Sequence, residues 1–292
     1  MYRGGDITEI LSKFAGTLIK FQTVKKILLA IIAAVAVLSA KAYTTDTVSV
    51  AAKYIPGPAK AVVITPRGEV GQRFPTVYIL NGYTGSYKDW TCTTEPRLGE
   101  LADRYGMIFV MPDGRDSWYW DSPAQPGMQM ESFITKELVP YIDSKYPTKA
   151  DASQRAITGL SMGGHGALWL ATRHPDIWRN AGSMSGGVDI TKFTKRWKMA
   201  ELLGKTYEQD PELWQRHAVA SLVPQMKDAG LNIVFDCGSE DFFAGVNEAL
   251  HKALLDAGVP HEYTSRPGNH SHKYWANSIR YHLYFFDKAF RK

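Results

Sequence analysis

Short apolar runs alternate with amphipathic stretches along most of the chain. Runs such as VYIL, MIFVM and NIVFDC show no polar alternation, the pattern of strands covered on both faces. Strands are expected at 48–55, 61–65, 75–80, 107–111, 155–158, 180–184, 231–237 and 261–266. Helices are expected at 97–105, 130–146, 163–174, 246–257 and 274–290. In the second helix Phe133, Ile134, Glu137, Leu138, Tyr141 and Ile142 recur at i, i+3/i+4 spacing, which puts them on one face. Proline or glycine closes several helices, as at Tyr146-Pro147, His174-Pro175 and Ala257-Gly258. Strand and helix alternate after the first two strands. That order predicts an α/β fold with a mostly parallel, doubly wound sheet flanked by helices. The stretch 188–227 breaks the rhythm and reads as an irregular helical insertion over one edge of the sheet. No repeat, low-complexity tract or linker divides 43–292, so a single catalytic-sized domain is expected there.

Composition narrows the class. The 292 residues are 45% hydrophobic and 22% charged, which disfavours collagen, coiled-coil and disordered chains. The net charge of +5 raises the question of nucleic acid. Residues 1–42 hold Arg3, Lys13, Lys20, Lys25, Lys26 and Lys41 against Asp6 and Glu9, so nearly all of the excess lies there. The near-neutral remainder has no arginine run and lacks the footprint of a nucleic-acid binder. Lys25-Lys26 precede the apolar run 27–40, which ends at the small residues Ala40 and Ala42. These three parts predict a signal peptide over 1–42 and a secreted or periplasmic protein. The run falls short of the roughly 20 residues a spanning helix needs, so no stable membrane anchor is expected after cleavage. The leader ahead of the run is long, which a translation start at Val24 would explain. Cys92 and Cys237 are the two cysteines, and an exported chain leaves both one disulfide and two free thiols open.

Candidate chemistry begins at Gly159-Leu160-Ser161-Met162-Gly163, a G-x-S-x-G pattern between the strand RAIT and a glycine- and alanine-rich helix. A serine on so tight a strand-to-helix turn needs a strained backbone, and side chains two residues to either side would collide. Gly159 and Gly163 meet that need. Ser183 and Ser185 lie in a similar glycine-rich segment without the flanking spacing. In a fold of this kind an acid and then a histidine follow the nucleophile in chain order, each just after a strand. After NIVFDC the candidates are Asp236, Glu240 and Asp241. Asp236 lies within the strand, and Asp241, in the loop beyond it, is favoured over Glu240. After the last strand the segment Pro267-Gly268-Asn269-His270-Ser271-His272 offers His270 and His272. The remaining histidines fall on helices, a helix end, the insertion or a strand start. A metal at this H-x-H pair would need a third ligand cluster, and none accompanies it. Chemistry needs all three groups, since a serine hydroxyl is a weak nucleophile until an imidazole oriented by a carboxylate takes its proton. It also needs donors for the developing oxyanion. The loop 80–85, Leu-Asn-Gly-Tyr-Thr-Gly, can aim a backbone N–H, and Met162, next after the serine, supplies a second.

With ILNGYTGSYKDW, MPDGRDSWYWDSP, TGLSMGGHGA, CGSEDFF and PGNHSHKYW on the page, the chain from about Val48 onward resembles the putative-esterase family of the α/β-hydrolase superfamily. That group spans esterase D-like, tributyrin-esterase-like and carbohydrate esterase family 1 enzymes. The resemblance implies an α/β-hydrolase fold, a nucleophile at Ser161, an acid at Asp241, a base at His270, and oxyanion donors at Tyr83 and Met162. It departs at Asn81, where relatives often have histidine or serine before glycine, and at His272, where many carbohydrate esterases carry tryptophan. The loop 113–123 places Trp118, Tyr119 and Trp120 just beyond a strand end, where they are expected to line the cleft and stack on a sugar or hydroxycinnamoyl ring. Trp90 and Trp275 stand near other loops of the site. Resemblance and export together imply a serine esterase removing acetyl or feruloyl groups from plant polysaccharide, with a carbohydrate-linked ester as its partner and no cofactor. The alternatives are a general short-chain carboxylesterase, an acyltransferase of the mycolyl type, S-formylglutathione hydrolysis, which export weakens, and a silent hydrolase fold that binds carbohydrate.

Overall fold

A computed structural model describes residues 21–27 and 43–292. The predicted cleavage site and the apolar run beyond Ile27 lie outside the described residues. Residues 21–27 are helical and exposed and form part of a unit separate from 43–292. Among the described residues no helix is long and apolar enough to cross a membrane.

The described part of the second unit is built on an eight-stranded sheet: β1 Thr44–Val50, β2 Ala59–Thr65, β3 Thr76–Leu80, β4 Ile108–Pro112, β5 Arg155–Gly159, β6 Asn180–Met184, β7 Asn232–Gly238 and β8 His261–Arg266. Its order is β1-β2-β4-β3-β5-β6-β7-β8. The β1–β2 and β2–β4 pairs are antiparallel and all others parallel. The helices are α1 Leu98–Tyr105, then α2 from the contiguous stretches Met130–Phe133, Ile134–Leu138 and Val139–Lys145, the middle one π-wound. They continue with α3 Met162–Arg173, α4 Met199–Leu203, α5 Pro211–Arg216, α6 Val223–Ala229, α7 Ala244–Ala257 and α8 His272–Phe290.

Strand alternation explains the layering. Tyr78 and Leu80 of β3 point to one face and pack with Phe133, Ile134, Leu168 and Leu250 of α2, α3 and α7. Val77 and Ile79 point to the other and pack with Leu98, Leu101, Ile279, Leu283 and Phe286 of α1 and α8. Every residue of β3, β4, β5 and β6 is buried, which is why β3 and β4 read as unbroken apolar runs, whereas β5 and β6 bury the polar Arg155, Thr158, Asn180 and Ser183 among small and apolar residues. The insertion 188–227 carries α4, α5 and most of α6 and packs through Met199, Leu202, Trp214 and Leu222 into the first of these cores. Cys92 is exposed, Cys237 is buried, and both are free thiols.

Candidate active site

The turn from β5 into α3 holds Ser161 at φ 56° and ψ −116°, a conformation that costs an ordinary residue about 1–3 kcal/mol. A Cβ on Gly159 would sit 2.6 Å from the Gly163 carbonyl group, and one on Gly163 would sit 2.6 Å from the Leu80 carbonyl oxygen. The two glycines are there because the turn presses backbone on backbone. Ser161 Oγ lies 2.9 Å from His270 Nε2. His270 Nδ1 lies 2.8 Å from Asp241 Oδ2. The other oxygen, Oδ1, accepts from the Phe243 amide at 2.8 Å, so the carboxylate is fixed in orientation. Asp241 follows β7 and His270 follows β8, so the sheet sets the spacing of all three groups.

The structure separates the remaining acid and base candidates. Glu240 is exposed. Asp236 is buried and engaged elsewhere, bonded by Arg266 at 2.7 Å and Ser278 at 2.8 Å, with His282 Nε2 at 3.2 Å. Burial pushes its carboxyl up, but hydrogen bonds and charge from His282, Arg266 and Ser278 outweigh that and hold it below the usual range. His272 Nδ1 is bonded to Thr94 Oγ1 at 2.8 Å. His270 has both ring nitrogens engaged by the serine and the acid, so the two histidines do not form a chelating pair. Among the described residues no group of three or more His, Cys, Asp or Glu side chains is placed to hold a metal.

The cleft over Ser161 measures about 290 Å³ and is lined by Gly82, Tyr83, Thr84, Leu160, Trp197, Phe242, His270, His272 and Trp275 among others. The backbone amides of Tyr83 and Met162 have no acceptor among the described residues. That of Met162 opens α3, where the helix leaves its first N–H groups unpaired and adds a partial positive charge.

Trp118, Tyr119 and Trp120 do not line this cleft, a correction to the sequence reading. They are 1%, 0% and 0% exposed. Trp120 donates its indole N–H to His165 Nε2 at 2.9 Å, and His165 Nδ1 donates to the Gly187 carbonyl at 3.0 Å. That pair of contacts requires a neutral His165, whose value burial pushes down to about 3. Tyr119 turns its hydroxyl onto Asn81. Trp90 is likewise buried and bonded to the Leu80 carbonyl at 3.0 Å. The rings facing the cleft are instead Trp197 from the insertion, Phe242 directly after the acid, and Trp275. Trp197 and Phe242 are stacked at 6.1 Å, and Phe242 lies 4.3 Å from the His270 ring. No periodicity marked Trp197 beforehand. Phe242 could have been found from its place beside Asp241.

A mixed sheet of this order with a serine at a strained strand-to-helix turn is an α/β-hydrolase fold. The family model described as "Putative esterase" matches residues 52–286, and the chain belongs to that family. It is 27% identical over 222 residues to an acetyl esterase of Caldicellulosiruptor saccharolyticus, covering 71% of this chain and 81% of the relative. It is 24% identical over 249 residues to the S-formylglutathione hydrolase of Bos taurus, covering 76% and 86%. A solved ferulic acid esterase superposes with a TM-score of 0.72 at 24% identity, over 85% of this chain and 99% of that one.

Proposed function

We propose that the protein is an exported serine esterase that removes acetyl or feruloyl groups from plant polysaccharide. The observation that carries the reading is the hydrogen-bonded run Asp241–His270–Ser161, ending on a serine held at the strained turn from β5 into α3. In this reading His270 Nε2 takes the hydroxyl proton as Ser161 Oγ attacks the ester carbonyl carbon, and Asp241 stabilises the imidazolium. The carbonyl electrons move onto oxygen, where the Tyr83 and Met162 amides receive them. The intermediate collapses, the carbon–oxygen bond to the alcohol breaks, and His270 returns the proton to the departing oxygen. Water then repeats the cycle on the acyl-enzyme, releasing the acid and free Ser161. The names of the acetyl esterase and ferulic acid esterase relatives support the two acyl groups, and the stacked Trp197 and Phe242 suit a planar acyl ring. A short-chain carboxylesterase without sugar preference is the second reading, favoured by the small cleft of about 290 Å³.

The test is purified residues 43–292 against acetylated xylan, methyl ferulate, p-nitrophenyl acetate, p-nitrophenyl butyrate and S-formylglutathione, each beside Ser161→Ala. Loss of at least about 10³ in kcat on serine removal, with the fold retained, is expected. Ser161→Ala within tenfold of the parent would remove the nucleophile assignment. A preference for S-formylglutathione or for butyrate over both acetylated xylan and methyl ferulate would replace the substrate.

A further inference from the structure

The loop after β3 is held by more than its own turn. Asn81 is 1% exposed, and both its side-chain oxygen and its side-chain nitrogen are hydrogen-bonded. Its Oδ1 accepts from the Gly114 amide at 2.9 Å and from the Tyr119 hydroxyl at 3.1 Å. Its Nδ2 donates to the Gly82 carbonyl at 2.9 Å. Gly114 N–H can only donate and the Gly82 carbonyl can only accept, so the amide has a single workable orientation. The Gly82 carbonyl also accepts from the Gly85 amide at 3.0 Å, which closes the turn. Thr84 inside that turn sits at φ 63°, and the Asp116 carboxylate accepts its amide at 2.6 Å.

The peptide joining Gly82 to Tyr83 is trans, so its N–H points opposite to its carbonyl. With the carbonyl drawn to Asn81 Nδ2, the Tyr83 N–H is turned away from Asn81. It has no acceptor among the described residues. The loop also presses on the nucleophile: a Cβ on Gly82 would lie 2.7 Å from Leu160 Cδ1 and 3.5 Å from Ser161 Cβ. We infer that Asn81, braced by Tyr119, is a positioning residue that sets the direction of the Tyr83 N–H as an oxyanion donor. This rests on the esterase reading above and adds to it a role for a buried amide and for a tyrosine of the aromatic loop, neither of which touches substrate.

The measurement uses Asn81→Asp, Asn81→Ala and Tyr119→Phe with p-nitrophenyl acetate and an aryl trifluoromethyl ketone, which forms a tetrahedral oxyanion on an active serine. Asn81→Asp keeps the shape and the acceptor toward Gly114 but sets a carboxylate oxygen against the Gly82 carbonyl. A full oxyanion donor is worth about 10²–10³ in kcat, and a misdirected one should forfeit about 10–10². Each Asn81 variant should lose that in kcat with KM changed less than about twofold, and the ketone inhibition constant should rise by the same factor. Tyr119→Phe should show a smaller loss in the same proportion. A merely structural role would lower the melting temperature and the titratable fraction of active sites while leaving kcat per active site and ketone binding unchanged, and that result overturns the inference. Should the buried carboxylate of Asn81→Asp prevent folding, the parallel between kcat and ketone affinity in the other two variants decides. Wild type unreactive toward both probes would instead strike at the esterase reading itself.

Discussion

Replacing Asp241 by asparagine changes one atom and tests the hydrogen-bond logic of the site. The carboxylate serves two donors, His270 Nδ1 at 2.8 Å and the Phe243 amide at 2.8 Å. The Phe243 N–H can only donate, so asparagine must keep its oxygen there and turn its NH₂ toward His270. His270 Nδ1 then becomes an acceptor, and the ring proton moves to Nε2. That is the nitrogen 2.9 Å from Ser161 Oγ, and in this tautomer it has no lone pair to take the serine proton. The competent arrangement requires flipping the amide, which opposes two N–H groups in a buried place. That costs about 1–3 kcal/mol, or roughly tenfold to hundredfold in population. Loss of the negative charge opposite the developing imidazolium accounts for the rest of an expected drop of about 10⁴ in kcat, near 5.5 kcal/mol. Glu240 is exposed and its side chain makes no hydrogen bond among the described residues, so Glu240→Gln should stay within about twofold. Steady-state hydrolysis of p-nitrophenyl acetate near pH 7.5, with circular dichroism to verify folding, reads both. A loss below tenfold for Asp241→Asn, or an equal loss for Glu240→Gln, would refute the reasoning.

Three further outcomes follow from the packing. Trp120→Ala should destabilise by about 3–5 kcal/mol, because it opens a core cavity and strands His165 Nε2; with about 2–4 °C per kcal/mol in a domain of this size, the thermal midpoint should fall by roughly 6–20 °C. An unchanged midpoint with loss of feruloyl preference would return Trp120 to the substrate wall. Burial pushes the Glu131 carboxyl up, but His174, Arg173 and Trp169 outweigh it and hold it below the usual 4.5. Its charged form therefore favours folding, fully so above about pH 4.5, and the contribution is lost as pH falls through the folded-state value. Glu131→Gln should cost about 1–3 kcal/mol at pH 7, discounted because Arg173 is 42% exposed, and denaturant titrations should show the gap closing below pH 4.5. Trp197→Ala should lower kcat/KM for methyl ferulate by up to about tenfold more than for p-nitrophenyl acetate, and equal losses would deny the ring contact.

Legibility in the sequence followed the strength of local constraint. The interior strands β3, β4 and β7 were readable to within a residue or two because burial on both faces leaves an unbroken apolar signature. The first strand runs over Thr44–Val50 rather than 48–55. It pairs on one side only and is mostly exposed, so its polar TTDT half carries no pattern. The π-wound turn Trp90–Thr94, sequence WTCTT, has no periodicity to find. Ser161 stood out because two glycines at fixed spacing are a steric necessity of its turn. Asp241 could be ranked above Glu240 by position, but His270 and His272 share one loop, and pattern alone left both open. Which imidazole faces the serine depends on where α8 begins, at His272 itself, and only the folded loop decides that.

The buried aromatics of the 113–123 loop show how the chain divides its large rings between core and cleft. Three adjacent bulky rings look hard to bury together, yet Trp118 and Tyr119 occupy left-handed conformations, φ 54° and 61°, that throw successive side chains in directions a regular strand would not. Space is cleared at Gly114 and Gly166, where any Cβ would run into the Tyr119 ring. The loop thereby spends its rings on the core and on Asn81 rather than on substrate. Trp197 then supplies the wall facing Ser161, itself at φ 53° and carried by the insertion 188–227. The reacting groups are fixed by the ends of the buried strands β5 and β7 and of the edge strand β8. The Trp197 ring over the cleft is borne by a segment outside the sheet's alternation, and Phe242 and Phe243, which touch both Trp197 and His270, bridge the two. Changes in the insertion can therefore alter which ester fits while leaving Ser161, Asp241 and His270 in register, whereas changes in the 113–123 loop disturb folding and the Tyr83 N–H first.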